Sequence, residues 1–115
     1  MPSRELADRV EDILIEVIEI EKFVEGMTFT QFCADRRTLK AVLYGLAVIG
    51  EATANILPQV QTRYPQVPWV DIRGMRNVVI HEYFNLDLQI IWETIQTDFP
   101  QFKLTLEGIL RDVQQ

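Results

Sequence analysis

Residues 4–24 read RELADRVEDILIEVIEIEKFV. Leu6, Val10, Ile13, Leu14, Val17, Ile18 and Val24 recur at three- and four-residue steps, and Glu5, Asp8, Asp12, Glu16 and Glu19 fill the other face. That is the period of an amphipathic helix, not the alternation of a strand. Gly26 is placed to stop it. Thr28-Phe29-Thr30-Gln31 has the spacing of a capping box and predicts a short turn.

The same period continues downstream. Asp35 suits the cap of a second long helix, with Leu57 before Pro58 as its end. Its stripe is Leu39, Val42, Leu43, Leu46, Ile49 and Ile56, interleaved with Ala41, Gly45, Ala47, Gly50, Ala52 and Ala54. Each interior glycine costs roughly 1 kcal/mol relative to alanine, so close approach of another helix is expected there. Glu51 sits inside this small-residue stretch and is expected to be semi-buried and paired. Residues 58–68 read as a connection holding at most one turn. Pro68 suits the first turn of a third helix, ending near Tyr83, and Asp71 complements its positive end. A fourth segment spans residues 87–97, Pro100 marks a break or restart, and a last segment follows. No run reads as a strand. The fold class is all-α: an up-and-down antiparallel bundle of four to five helices.

A chain of 115 residues fits one domain, residues 1–115, and 48% apolar content supplies its core. A net charge of −6 argues against general coating of nucleic acid, which needs a basic surface. It leaves room for a local basic site. Cys33 stands alone, cannot form an internal disulfide, and reads as a small buried apolar residue. No apolar run approaches the roughly 20 residues that span a bilayer. Met-Pro-Ser-Arg-Glu leads straight into the first helix without the pattern of a leader, so a cytoplasmic protein is expected. Carboxylates are scattered over solvated faces with one histidine among them, so neither a metal site nor a cofactor is expected.

The chemistry concentrates in WVDIRGMRNVVIHEYF, residues 69–84. Arginine presents a fixed fork of donors that matches phosphate. Histidine moves protons near neutral pH. Arg73, Asn77 and His81 recur at four-residue steps and lie side by side on a helix. Arg76 and Tyr83, seven apart, share nearly one face. Arg76 and His81, five apart, diverge by about 140° on a regular helix. Two arrangements would bring them to one phosphate: an unwound helix near Ile80, or two copies of the helix meeting across a two-fold axis. RNA carries its own nucleophile, the 2′-hydroxyl, so a histidine and an arginine suffice to cut it. The same residues also have plainer uses. A histidine near a helix end can cap or pack, Arg76 can pair with Glu51 or Glu82, Tyr83 can edge the core, and Trp69 and Trp92 can anchor it.

Arg76-Asn77, three residues, then His81-Glu82-Tyr83 resembles the Arg-(four to six residues)-His signature of HEPN domains, in the tyrosine-bearing form of the HepT-like toxin family. Ile49-Gly50-Glu51-Ala52 resembles that family's Ile-Gly-Glu-Ala element. Tyr64-Pro65-Gln66-Val67-Pro68-Trp69 resembles its Tyr-Pro-x-x-Pro-Trp lead-in, and Trp92 with Asp98-Phe99-Pro100 resembles its closing segment. The ordered set covers nearly the whole chain. The resemblance implies a homodimeric helical bundle with a metal-independent endoribonuclease site at the dimer interface. Arg76 and His81 would be catalytic and Asn77 would contribute; apart from the resemblance, Arg73 and Glu51 stand as candidates for phosphate or structural support. It also implies a type VII toxin–antitoxin pair. There a nucleotidyltransferase-fold antitoxin transfers AMP from ATP to Tyr83 and blocks RNA. A different class remains open: a non-catalytic subunit that presents a nucleotide or substrate to a nucleotidyltransferase, with Arg73 and Arg76 as anion anchors.

Overall fold

The computed structural model describes residues 2–113, and side chains from residue 5 onward. Those residues are helical throughout, joined by short turns, with no strand among them. Helix α1 spans Pro2–Phe23. Of the predicted stripe, Leu6, Val10, Ile13, Val17 and Val24 are buried and Leu14 and Ile18 half-buried, and Ile20, outside that stripe, is buried with them. Gly26 adopts φ of 78°, a left-handed turn that a β-carbon would oppose, and the chain reverses there. The capping box forms as the spacing predicts. Gln31 N–H donates to Thr28 Oγ1, and Thr28 N–H donates to Gln31 Oε1, opening α2 (Phe29–Ala34).

Asp35 caps α3 (Arg36–Ala54). Its carboxylate accepts from Thr38 N–H at 3.0 Å and from Thr38 Oγ1 at 2.9 Å. The hydrogen bond from the Thr38 backbone, and then that from its hydroxyl, hold the Asp35 carboxyl below the usual aspartate range. A folded pKa below the unfolded one stabilises the protein fully above the ordinary aspartate value, and that contribution is lost as pH falls through the lowered value. Asp35→Asn keeps the cap but cannot titrate. Melting curves at neutral pH and near pH 3 should therefore show a smaller acid-induced loss for Asp35→Asn than for the parent. Equal losses would remove Asp35 from the acid response.

Helix α3 ends at Ala54, earlier than expected. Pro58 does not terminate it; it sits in the first turn of α4 (Leu57–Arg63), where its missing N–H costs nothing. Helix α5 spans Trp69–His81, followed by a 3₁₀ turn at Tyr83–Asn85. Asp87 caps α6 (Leu88–Glu93), accepting from Gln89 and Ile90 N–H. The expected break at Pro100 is absent. A π-helical turn at Thr94–Asp98 joins α6 to α7 (Phe99–Val113) without interruption. Proline at 100 lacks the N–H that an α-helix needs and crowds the carbonyl four residues back. The widened turn relieves that crowding, and Phe99 N–H donates to Thr94 O, five residues back.

Helix α3 lies between α1 and α5, and α1 lies between α3 and α7. One contiguous core joins them, from Leu6 through Phe32, Ile49 and Trp69 to Ile109. The interior glycines mark where α3 touches its neighbours. A β-carbon on Gly45 would stand 2.8 Å from Ile20 Cδ1 of α1, and one on Gly50 would stand 2.8 Å from the backbone nitrogen of Arg76 in α5. Lys103 pairs with Glu21 at 2.6 Å and ties α7 to α1. Trp92 packs on Phe29 and Phe32, with ring centroids 6.1 and 5.3 Å away. Cys33 is exposed, not buried as expected, because α2 turns Phe32 inward and leaves its neighbour facing water. No single described helix is long and apolar enough to cross a membrane; α3 and α4 pass that test only as a pair bent by 79°.

Candidate active site on α5

Trp69 anchors the start of α5. It is 2% exposed, its indole N–H donates to Tyr64 O at 2.8 Å, and its ring meets the edge of Phe102 at 6.0 Å. Tyr64 is itself tied to α7 by its hydroxyl, which donates to Asp112. From this anchor α5 runs along α3 and presses its backbone onto Gly50. Ile72, Met75 and Val79 are half-buried. The rest of the helix is largely exposed.

The contact at Gly50 also places Arg76. Its Nε lies 3.0 Å from Glu51 Oε1, with the two side chains 49% and 59% exposed. Glu51 is thus paired, as expected, but not semi-buried. An ion pair this open to water contributes at most about 1 kcal/mol, so a phosphate can displace the carboxylate. Arg73, Asn77 and His81 are exposed. Their four-residue spacing on an unbroken helix sets them in a row. His81 takes part in neither ion pair found among the described residues.

The helix does not unwind near Ile80. It continues through His81, and Glu82 N–H donates to Val78 O. Arg76 and His81 therefore point about 140° apart, and a single chain does not bring them to one phosphate. Tyr83 lies beyond the helix end, in the 3₁₀ turn, so the seven-residue register that would place it over Arg76 does not hold. Its ring, 37% exposed, meets Phe84 edge-on at 5.2 Å.

Two features escape a reading by periodicity. The first is exposed apolar surface around the candidate residues: Val78 and Ile80 are each 51% exposed, and Phe84 is 94% exposed. The pattern Val-Val-Ile-His-Glu-Tyr-Phe contains the signal, since its apolar run wraps every face of the helix. The second is a groove of about 630 Å³ between α5 and the α6–α7 rod, floored by Leu46 and walled by Met75, Val79, Ile91 and Phe102. Asp71 and Asp98 stand at its margin. Among the described residues no three His, Cys, Asp or Glu side chains converge as metal ligands would.

Residues 13–109 match the family described as "Ribonuclease HepT-like". A Methanocaldococcus jannaschii protein named "Putative RNase" is 36% identical over 99% of this chain and 94% of its own length. A Thermococcus cleftensis protein named "Probable ribonuclease HepT" is 36% identical over 93% of this chain and 97% of its own. A "Putative RNase" of Caldanaerobacter subterraneus is 36% identical over 89% of this chain and 91% of its own. None of the solved structures compared is a significant match.

Proposed function

This chain belongs to the HepT-like ribonuclease family, and on that premise we propose that it is a metal-independent endoribonuclease acting as a homodimer. The observation that carries the reading is His81. It stands exposed on a regular helix, one turn from Asn77, free of the ion pairs that would mark a structural role. Two copies of α5 supply what one chain lacks, a pair of histidines beside a pair of arginines. One imidazole takes the proton of the 2′-hydroxyl. The 2′-oxygen bonds to phosphorus, the bond to the 5′-oxygen breaks, and the second imidazole, protonated, gives its proton to that oxygen. The products are a 2′,3′-cyclic phosphate and a 5′-hydroxyl. Arg76, released from Glu51, holds the charge that builds on the phosphate oxygens. Asn77 orients the histidine or the phosphate by hydrogen bonding, and Arg73 adds positive charge at the approach.

Tyr83 is the proposed regulatory site. Its hydroxyl attacks the α-phosphorus of ATP on a nucleotidyltransferase-fold antitoxin, pyrophosphate leaves, and the new AMP fills the approach to His81. The chain is then the toxin of a type VII toxin–antitoxin pair in the cytoplasm. The test uses purified protein and total RNA in excess chelator. The parent cleaves RNA, and stops doing so after treatment with the cognate antitoxin and ATP, gaining the mass of AMP. Tyr83→Phe keeps its activity and its mass. Intact RNA with unmodified parent would reject the ribonuclease reading, and modification of Tyr83→Phe would reject the regulatory one.

The groove between α5 and α6–α7 favours a second reading. Its volume falls within the range of ligand pockets. In a non-catalytic subunit this groove takes the base of a nucleotide presented to the nucleotidyltransferase, and the protein binds nucleotide while leaving RNA intact.

A further inference from the structure

We infer that the exposed face of α3 along Arg37, Lys40 and Tyr44 is a track for single-stranded RNA, with Tyr44 the platform on which one base stacks. The inference rests on the RNA substrate proposed above and adds a surface outside α5.

Residues 36–50 read RRTLKAVLYGLAVIG, with three cations and no acidic residue, in a chain whose net charge is −6. Arg37, Lys40 and Tyr44 are all exposed. Steps of seven and four residues put Arg37 and Lys40 on the same face of the helix as Tyr44. Neither cation takes part in the ion pairs found among the described residues. The carboxylate nearest them in sequence, Asp35, is engaged by Thr38. Tyr44 is 70% exposed and joins none of the aromatic pairs found among the described residues. Cations that follow the phosphates, beside an aromatic ring on which a base can stack, are the combination that holds single strands.

The fold leads this stripe to Arg76. Helix α2, which enters α3, packs through Phe32 on Trp92 of α6, which follows α5. Helix α4, which leaves α3, leads into α5. Helices α3 and α5 therefore run antiparallel. Gly50 meets the backbone of Arg73 and Arg76. Tyr44, six residues earlier on α3, thus stands level with the last turn of α5, which carries His81. Tyr44 and Glu51 are seven residues apart, so they share nearly one face, about 10 Å apart along the axis. Glu51 is the carboxylate that holds Arg76. A phosphate that displaces it on Arg76 lies about one nucleotide from a base on Tyr44, and the neighbouring phosphates reach toward Lys40 and Arg37. Carboxylates gather on the other flank of α3, where Asp12, Glu16 and Glu51 line a cleft with α1. They repel a phosphate backbone and keep the strand to the flank nearer α5.

The experiment measures binding of a single-stranded 2′-O-methyl oligoribonucleotide to the full chain, by fluorescence anisotropy over a range of salt. The probe lacks the 2′-hydroxyl nucleophile, so binding is read apart from cleavage. Tyr44→Ala should raise the dissociation constant roughly tenfold, within the range that one stacked base supplies, and Tyr44→Phe should restore most of the affinity. The double variant Arg37→Gln, Lys40→Gln should flatten the slope of log affinity against log salt by roughly 1.4, as expected for two lost phosphate contacts to a single strand. All three positions are exposed, and melting temperatures check that each variant keeps the fold. Parent affinity in Tyr44→Ala overturns the inference, as does an unchanged salt slope in the double variant or a parent that binds no probe. So does a Tyr44→Ala whose only change is weaker self-association in sedimentation, which would make this face an interface between copies. Cleavage of total RNA by the parent is scored separately. Tyr44-dependent binding without cleavage keeps this inference and rejects the ribonuclease reading. Cleavage with binding indifferent to Tyr44 does the reverse.

Discussion

His81→Ala should lose RNA cleavage by a factor of roughly 10²–10⁴, the range a positioned general acid–base group supplies. Cleavage of total RNA in excess chelator measures it, and the variant's melting temperature is the control. His81 is exposed in the last turn of α5 and makes neither of the observed ion pairs. Its removal forfeits at most a modest favourable interaction with the helix dipole, about 1 kcal/mol or less. The fold should therefore survive, and lost activity would not be lost protein. The losses in Arg76→Ala and His81→Ala should not sum in the double variant, because both groups serve the same phosphate. Cleavage by His81→Ala at the parent's rate would remove this histidine from the chemistry and return α5 to a structural role.

Gly50→Val should lower stability by roughly 3 kcal/mol, at the upper end of the usual cost of overpacking. For a chain of this size that is a drop in melting temperature on the order of 10 °C. The new β-carbon would stand 2.8 Å from the Arg76 nitrogen and 3.0 Å from the Arg73 carbonyl oxygen. Both are backbone atoms of α5 and cannot swing away. Gly45→Ala is a useful contrast, since its nearest neighbours are the outer atoms of the Ile20 side chain at 2.8 and 2.9 Å. A rotamer change can absorb part of that clash, so the loss should be smaller. A melting temperature for Gly50→Val equal to the parent's would mean that α5 does not press on α3 at this point. The same glycine holds Arg73 and Arg76 in place, so the variant should lose RNA cleavage along with stability.

Where local chemistry dictates structure, the sequence is readable. The Thr28–Gln31 capping box, the Asp35 cap and the stripe of α1 depend on spacing within a few residues, and each forms as read. Gly45 and Gly50 imply close helix contacts, and both are there, although spacing alone did not say which helix arrives. The misreadings arise where tertiary context or a subtler backbone state decides. Pro58 suits a helix start as well as a helix stop. Pro100 is accommodated by a π turn that no hydrophobic period announces. Cys33 is apolar enough to be buried, yet the inward face of α2 is taken by Phe32. For the candidate site, the 140° divergence of Arg76 from His81 follows from counting residues, and the unbroken α5 bears that geometry out. The groove beside α5 was not legible, because it depends on how far the α6–α7 rod stands from α5.

The π turn at Thr94–Asp98 bears on how this chain tolerates changes of length. Compared with a continuous α-helix, a π turn holds one residue more, so the segments on either side keep their own faces inward although the count between them is out of phase. Trp92 still meets Phe29 and Phe32, while Leu106 and Ile109 still enter the core. The turn takes up one residue beyond the α-helical count while both sets of contacts stay in place. Deleting one residue from the turn would let it close into α-helix with both sets of contacts kept, whereas forcing the full-length turn into α-helical phase would rotate one set by about 100° against the other. In an alignment of related chains, this is where a one-residue gap would have structural meaning.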